Sequence, residues 1–122
     1  MRMDVVNDPI VGVVRSFRDS WRNRPAMCHL VGEGSGPQQE SVRIVGKPVR
    51  GGGFTAFYVI SYDCGQGNAR RAYEYLAKIY QGPVRAKEVR SEEGIGFHRA
   101  MMEAGIVSEM DVDLYEMPSA RP

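Results

Sequence analysis

The sequence is poor in cysteine and in long apolar runs, and each shortage excludes a class of protein. Its two cysteines, Cys28 and Cys64, stand far apart and lack the paired spacing of a zinc site, so we expect reduced thiols and no metal. No apolar run approaches the ~20 residues that cross a bilayer. The N-terminus lacks the apolar stretch of a signal peptide. These absences predict a cytoplasmic protein that makes no contact with a membrane.

An excess of charge of one sign is also missing. The chain has 16 Lys and Arg against 15 Asp and Glu, a formal net charge of +1, which disfavours a nucleic acid as a partner. A basic helix that carries Trp21 between arginines would be the alternative. Its basic residues would be Arg15, Arg18, Arg22 and Arg24.

The chain has enough apolar residues for an ordinary folded core. It has 122 residues, of which 43% are hydrophobic and 25% charged, and this composition is typical of one globular domain. We therefore expect a single domain over residues 1–122, with a frayed tail over residues 118–122.

The first predicted element is a helix. Asp8 can cap free N–H groups and Pro9 is tolerated in a first helical turn, while apolar residues recur at three- and four-residue steps from residue 10 to Trp21. Pro25 would end this helix. Gly12 and the β-branched residues around it are poor helix formers, so a short strand over residues 10–14 is the alternative.

The remaining pattern alternates strands and helices. It predicts strands over residues 26–31, 41–45, 54–62 and 84–89, a last strand around residues 112–115, and helices over residues 69–80 and 91–104. Strands joined by short turns should be antiparallel, whereas the unit over residues 54–89 should be a parallel crossover. The predicted fold class is α/β, with a mixed sheet (α+β) and helices packed on it.

A glycine loop between a strand and a helix is the most informative segment. It reads Asp63, Cys64, Gly65, Gln66, Gly67, Asn68 and Ala69, and Arg70 and Arg71 follow in the first helical turn. N–H groups that begin a helix lack internal partners, and glycines let a phosphate approach them closely. The loop therefore suits a pyrophosphate. A tight turn with solvated arginines is the alternative.

This loop resembles the signature of the GNAT family of N-acetyltransferases, written Arg/Gln-x-x-Gly-x-Gly/Ala. Gly67 and Ala69 match it, whereas Cys64 replaces the first Arg or Gln. The later segment over residues 97–106 is similar to the family's Phe-Tyr helix, with His98 in the place of the tyrosine. The resemblance implies a GNAT-like fold with antiparallel strands before the crossover, and acetyl-CoA held by residues 65–71.

The resemblance also implies roles for single residues. An amine of unknown identity would attack the thioester of acetyl-CoA directly, so the protein would mainly position the two reactants. Asp63 is the candidate base, with Glu33 and Glu40 as competitors, and His98 is the candidate acid. The alternatives are a turn-forming role for Asp63 and a partly buried structural role for His98.

Other functions stay open at this point. A small interaction protein without catalytic activity, such as a phage- or plasmid-type inhibitor or an immunity protein, would suit the short chain and the irregular position of Cys64. A protein partner and a homodimer are both compatible with the sequence. The acceptor of an acetyl group cannot be read from it, because loops around such a cleft set the acceptor.

Overall fold

One mixed sheet of seven strands carries two helices in the computed structural model, which describes residues 2–113. The strands follow one another across the sheet in chain order. The elements are β1 (Met3–Asp8), β2 (Gly12–Trp21), β3 (Arg24–Val31), β4 (Val42–Pro48), β5 (Phe54–Ser61), α1 (Asn68–Ile79), β6 (Val84–Val89), α2 (Glu92–Glu103) and β7 (Val107–Val112). The protein is therefore an α+β fold, and the predicted mixed sheet is confirmed.

The helix predicted after Asp8 is wrong. Asp8 does accept hydrogen bonds from the N–H groups of Ile10 and Val11, at 2.9 and 3.0 Å, but these bonds close a turn between β1 and β2. Gly12, with φ at 82°, ends that turn opposite Asp8. An Asp side chain accepts the same hydrogen bonds in a turn as at the start of a helix. The β-branched residues that follow Asp8 favour a strand. The alternative of a strand over residues 10–14 was the better interpretation.

The predicted basic helix is wrong for the same reason, because its residues form a hairpin. β2 and β3 pair from Val14 with Val31 to Trp21 with Arg24, and Arg22 and Asn23 form the turn with φ values of 51° and 63°. A two-residue turn with two positive φ values fits the twist of a hairpin. Alternation along a strand places neighbouring residues on opposite faces of the sheet, so the arginines form no single stripe.

The sheet buries apolar residues on both faces. On the helix-covered face, residues of the strands and of both helices form the larger core, with Tyr73 and Leu76 of α1 and Met101 of α2 among them. On the opposite face lies a smaller cluster of Phe17, Ala26, Cys28, Leu30 and Val45, with Trp21 against it. Trp21 stacks on Tyr58 of β5 with ring centroids 5.3 Å apart. Because β3 and β4 lie between those two strands, the sheet must curl, and the curl covers the smaller cluster.

The second half of the chain matches the sequence prediction closely. β5 and β6 are parallel neighbours, and so are β6 and β7, which confirms the predicted crossover over residues 54–89. Ser91 caps α2 by accepting a hydrogen bond from Gly94 N at 2.9 Å. The last strand was predicted too late in the chain: it ends at Val112. Residues 114 and 115 and the predicted tail over 118–122 lie outside the described residues.

Candidate functional site

The parallel strands β5 and β6 separate after a short paired stretch and leave a cleft between them. Residues 54–56 of β5 pair with residues 84–86 of β6, although β5 continues to Ser61 and β6 to Val89. The cleft has a volume of about 270 Å³. It lies toward the carboxyl ends of the two strands, the position at which parallel sheets commonly bind ligands.

Each of the two strands carries an irregularity where they part. The irregularity in β5 is a bulge at Phe57. Tyr58 pairs with Val45 of β4 and Ala56 pairs with Gly46, so Phe57 between them has no residue opposite in β4. In β6, Glu88 has a φ of 56°, which is rare for a residue other than glycine. Bulges and such strained residues are over-represented near functional sites. Both Phe57 and Glu88 line the cleft.

The walls of the cleft come from both faces of the sheet. Tyr73 of α1, together with Gly94 and His98 of α2, contributes from the helix side, and Trp21 contributes from the curled β2–β3 hairpin. The indole N–H of Trp21 is buried and has no hydrogen-bond partner among residues 2–113. Arg22 of the same hairpin and Arg90 both pair with the carboxylate of Glu88.

His98 is held by hydrogen bonds on both ring nitrogens. Its Nδ1 lies 2.7 Å from the carbonyl oxygen of Gly94, and its Nε2 lies 2.7 Å from the hydroxyl oxygen of Tyr73. A carbonyl oxygen only accepts, so Nδ1 carries the proton, and in the neutral ring Nε2 accepts from Tyr73. Burial lowers the pKa of His98 despite the bond to Gly94, which keeps the ring neutral at pH 7. Burial raises the pKa of Tyr73 strongly.

The predicted glycine loop does lead into an uncapped helix. Gly67 occupies the N-cap of α1 in a left-handed conformation and no side chain caps this end. The first-turn N–H groups of Asn68, Ala69 and Arg70 have no hydrogen-bond partner among the described residues, and that turn contains no acidic residue. A methyl group added to Gly65 would meet no atom within 4 Å. These amides are therefore available to an anion from solvent.

The two predicted phosphate-binding arginines differ in their surroundings. Arg71 folds back on the loop and donates to the carbonyl oxygen of Gln66 and to Oδ1 of Asn68, both at 2.7 Å. Arg70 is exposed, and its Nε lies 3.9 Å from a carboxylate oxygen of Glu74. Arg71 thus stabilises the shape of the loop, whereas Arg70 extends into solvent from the first turn.

Asp63 ties two loops together. Its carboxylate accepts hydrogen bonds from Ser35 N at 3.0 Å and from Ser35 Oγ at 2.6 Å, and these bonds hold its pKa below the usual value. Asp63 is not among the residues that line the cleft with His98. The role of base stays a prediction, and the contacts are those of a turn-forming residue.

The two competitors for the role of base also separate in the structure. Glu40 is fully buried inside the β3–β4 loop, where it accepts from Arg43 Nε and Gln38 N, each at 2.8 Å. Its pKa is lowered although burial opposes that change, because these donors stabilise the charged form. Glu33 is exposed and lines a small depression with Asn68 and Arg71 beside the glycine loop.

Sequence reasoning missed Tyr73, Trp21 and Glu88. Tyr73 belongs to the apolar stripe of α1 and gave no sign of its hydroxyl partner, which is 25 residues away. Trp21 reaches the cleft only because the sheet curls. Glu88 is distinguished by its backbone conformation, which no neighbouring residue type signals.

Comparison with protein-family models, with curated proteins and with solved structures finds no match to this chain. No helix within residues 2–113 is long and apolar enough to cross a membrane. Over the same residues, no three His, Cys, Asp or Glu side chains come together as a metal site would require. The function is therefore inferred from the cleft and the glycine loop.

Proposed function

We propose that this protein is an acetyl-CoA-dependent N-acetyltransferase of the GNAT type. One observation carries the proposal: an uncapped helix N-terminus and a cleft between diverging parallel strands lie at the same end of β5. The cleft begins beside Ala56, and β5 ends at Ser61, shortly before the glycine loop. An extended molecule with a diphosphate at one end could therefore reach from the loop into the cleft.

The residues of the loop fit the diphosphate end of that molecule. The amides of Gly65, Gln66, Gly67, Asn68 and Ala69 would bind phosphate oxygens. Positive φ values at Gly65 and Gly67 turn the chain there, and the absence of a side chain at Gly65 leaves the approach open. Arg70 would add charge from solvent, while Arg71 would keep the loop in shape. The macrodipole of α1 adds to the attraction for an anion.

The residues of the cleft fit the reacting end. Acetyl-CoA supplies an acetyl group that is activated as a thioester. Tyr62 N donates to Ser41 O of the β4 side, and bonding alternates along β5, so the N–H of Val59 points toward the side on which β6 has moved away. Val59 lines the cleft, and we assign its N–H as the donor for the carbonyl oxygen of the acetyl group. A fixed main-chain donor of this kind stabilises the negative charge that develops on such an oxygen.

The transfer also requires two proton movements: the attacking amine loses a proton and the departing sulfur gains one. Tyr73 and His98 are hydrogen-bonded to each other in the wall of the cleft. The N–H of His98 is directed to the carbonyl of Gly94, so His98 has no free proton of its own to donate. We therefore assign the proton that reaches the sulfur to the hydroxyl of Tyr73, which is positioned by Nε2 of His98. The proton lost by the amine goes to water in the cleft, and the tyrosinate takes a proton back from that water.

Titration calorimetry with acetyl-CoA tests the cofactor site. We expect the wild-type protein to bind and Gly65→Glu to bind about a hundredfold more weakly, since a like-charge contact costs several kcal/mol. Gly105→Glu is the matched control, because Gly105 has nearly the same φ (78° against 81°) and equally open surroundings. A wild-type protein that takes up no acetyl-CoA would exclude the proposed function.

A non-enzymatic interaction protein is the second candidate. It is favoured by the exposed apolar side chains of β1, an unusual feature for a strand at the edge of a sheet. Capture of one protein in stoichiometric amounts, together with no heat of binding from acetyl-CoA, would support it.

A further inference from the structure

The strand β1 forms an edge of the sheet and lacks the usual protection. It pairs with β2 alone among the described residues, and Met3, Val5 and Val6 are 42%, 59% and 48% exposed. Exposed edges are normally blunted by charged side chains, lysine above all, by proline, by a bulge or by a covering element. Within its six residues β1 contains neither lysine nor proline, and its register with β2 has no bulge. Its charged residues are Asp4 and Asp8, of which Asp8 is already paired with Lys78.

The hydrogen-bond pattern defines which groups of β1 point outward. Gly32 N donates to Val13 O at 2.7 Å, so Val13 faces β3. Bonding alternates along an antiparallel strand, so Val14 faces β1, where its partner is Val6. Residues 4, 6 and 8 therefore bond to β2. The N–H and C=O groups of Met3, Val5 and Asn7 point away from the sheet.

We propose that β1 pairs antiparallel with β1 of a second copy of this chain, about a two-fold axis at Val5. Val5 then lies opposite Val5 of the partner subunit, and Met3 lies opposite Asn7 of the partner subunit. The outward-facing groups of all three residues become hydrogen-bonded, because residues 3, 5 and 7 meet as bonded pairs. The two sheets continue into one another.

The charges of β1 select this register over its neighbours. An axis at Asp4 would place the two Asp4 side chains opposite each other, and an axis at Val6 would place Asp4 opposite Asp8. Like charges directly opposite each other destabilise a sheet. With the axis at Val5, Asp4 lies opposite Val6 of the partner subunit, and Arg2 lies opposite Asp8 of the partner subunit. Within one chain Arg2 lies 3.5 Å from Asp4, and Lys78 lies 2.9 Å from Asp8, so this register places no like charges directly opposite each other.

The interface is separate from the cleft. None of residues 2–8 lines the cleft between β5 and β6, so pairing leaves the cleft open in both subunits. The dimer therefore does not depend on the proposed acetyl transfer, and either can fail without the other.

Sedimentation velocity over a wide range of protein concentration tests the dimer. We expect the wild-type mass to be twice 13.6 kDa and Val5→Lys to sediment as the monomer, since two ammonium groups would meet at the axis. Val5 is exposed in the single chain, so the variant should keep the wild-type circular dichroism, and its melting temperature, unlike that of the wild type, should not depend on protein concentration. Val112→Lys, at an exposed position of β7, should remain dimeric. A monomeric wild type, or a dimeric Val5→Lys variant, would overturn the proposal.

Disulfide formation tests the register. Directly opposite residues of a bonded pair have Cα atoms about 5.5 Å apart, within the range of a disulfide. Val5→Cys, in a Cys64→Ser background, should give a covalent dimer on oxidation. Val6→Cys in the same background is the control. Val6 lies opposite Asp4 of the partner subunit, so the two introduced thiol side chains would be diagonal neighbours, about 7–8 Å apart and beyond the range of a disulfide. Equal cross-linking of both variants would contradict the register.

Discussion

Two histidines, His29 and His98, are each hydrogen-bonded to a tyrosine but lie in different surroundings. Comparing them shows which features of such a pair belong to core packing and which belong to a candidate site. His29 and His98 each have Nε2 next to a tyrosine hydroxyl: Tyr80, the C-cap residue of α1, lies 2.8 Å from His29, and Tyr73 of α1 lies 2.7 Å from His98. His29 is sealed in the core, 2% exposed, with Nδ1 2.6 Å from Ser16 Oγ and its ring against Phe54. His98 lines an open cleft. A buried His–Tyr pair is therefore no sign of a site unless space lies beside it.

The largest difference between the two histidine sites should appear in the free energy of unfolding when each imidazole is removed. His29→Ala leaves a cavity in the core and two part-buried hydroxyls, of Ser16 and Tyr80, without their partner, so we expect the free energy of unfolding to fall by about 4 kcal/mol. His98→Ala should cost less, because water in the cleft can reach the hydroxyl of Tyr73. Urea denaturation measures both values. Equal losses would mean that the two sites are equally closed.

Between pH 6.5 and 4 the pH dependence of stability should come mainly from His29, the histidine that is sealed in the core. Burial lowers the pKa of His29 from 6.5 to about 4, so between these values the unfolded chain binds more protons than the folded one. Stability should thus fall as the pH falls from 6.5 to 4, by up to about 3 kcal/mol. Above pH 6.5 this contribution is fully present.

The control for this prediction is the same pH series on His29→Gln. Above pH 5 that variant should keep only the weaker dependence of the same sign that comes from His98, and the carboxylates with lowered pKa values, Glu40, Asp63 and Asp8, add to it toward pH 4. An unchanged slope between pH 6.5 and 4 would show that His29 is not the group that titrates.

Removing the hydroxyl of Tyr73 should affect activity, whereas removing the hydroxyl of Tyr80 should not. If the proposed function holds, Tyr73→Phe should lower kcat for thiol release from acetyl-CoA by about a hundredfold, the usual contribution of a positioned proton donor. KM for acetyl-CoA should stay unchanged, since the proposed diphosphate site is the glycine loop, whereas Tyr73 lies in the wall of the cleft. Tyr80→Phe, the matched change at the closed site, should leave kcat unaltered. A similar loss in both variants would indicate a general effect on folding.

The smallest effect concerns the two thiols, one of which lies beside His29 and the other in the glycine loop. Cys28 lies beside His29, fully buried, and burial raises the pKa of its thiol to about 11. Cys64 lies exposed in the glycine loop. A thiol reagent should therefore label one cysteine per native chain and both after unfolding. Mass spectrometry locates the label, and native labelling of Cys28 would show that the core opens.

Local patterns predicted the second half of the chain because its signals are local. The apolar stripe of α1, the Ser91 cap of α2 and the β-branched and aromatic residues of β5 each determine one element by contacts within a few residues. Asp8 misled the prediction because its side chain makes the same bonds in a turn as at a helix start. The strand that follows is stabilised by pairing with β1 and β3, which no local pattern reveals.

The candidate site divides in the same way. The glycine loop and its uncapped amides follow from glycines placed between a strand and a helix, and the sequence by itself was enough to predict them. The cleft was decided by the tertiary structure, because it needs the bulge at Phe57, the strained Glu88 and the curl that brings Trp21 across the sheet. Contacts between residues far apart in the chain depend on the whole arrangement of strands, whereas turns and caps depend on a few neighbouring dihedral angles.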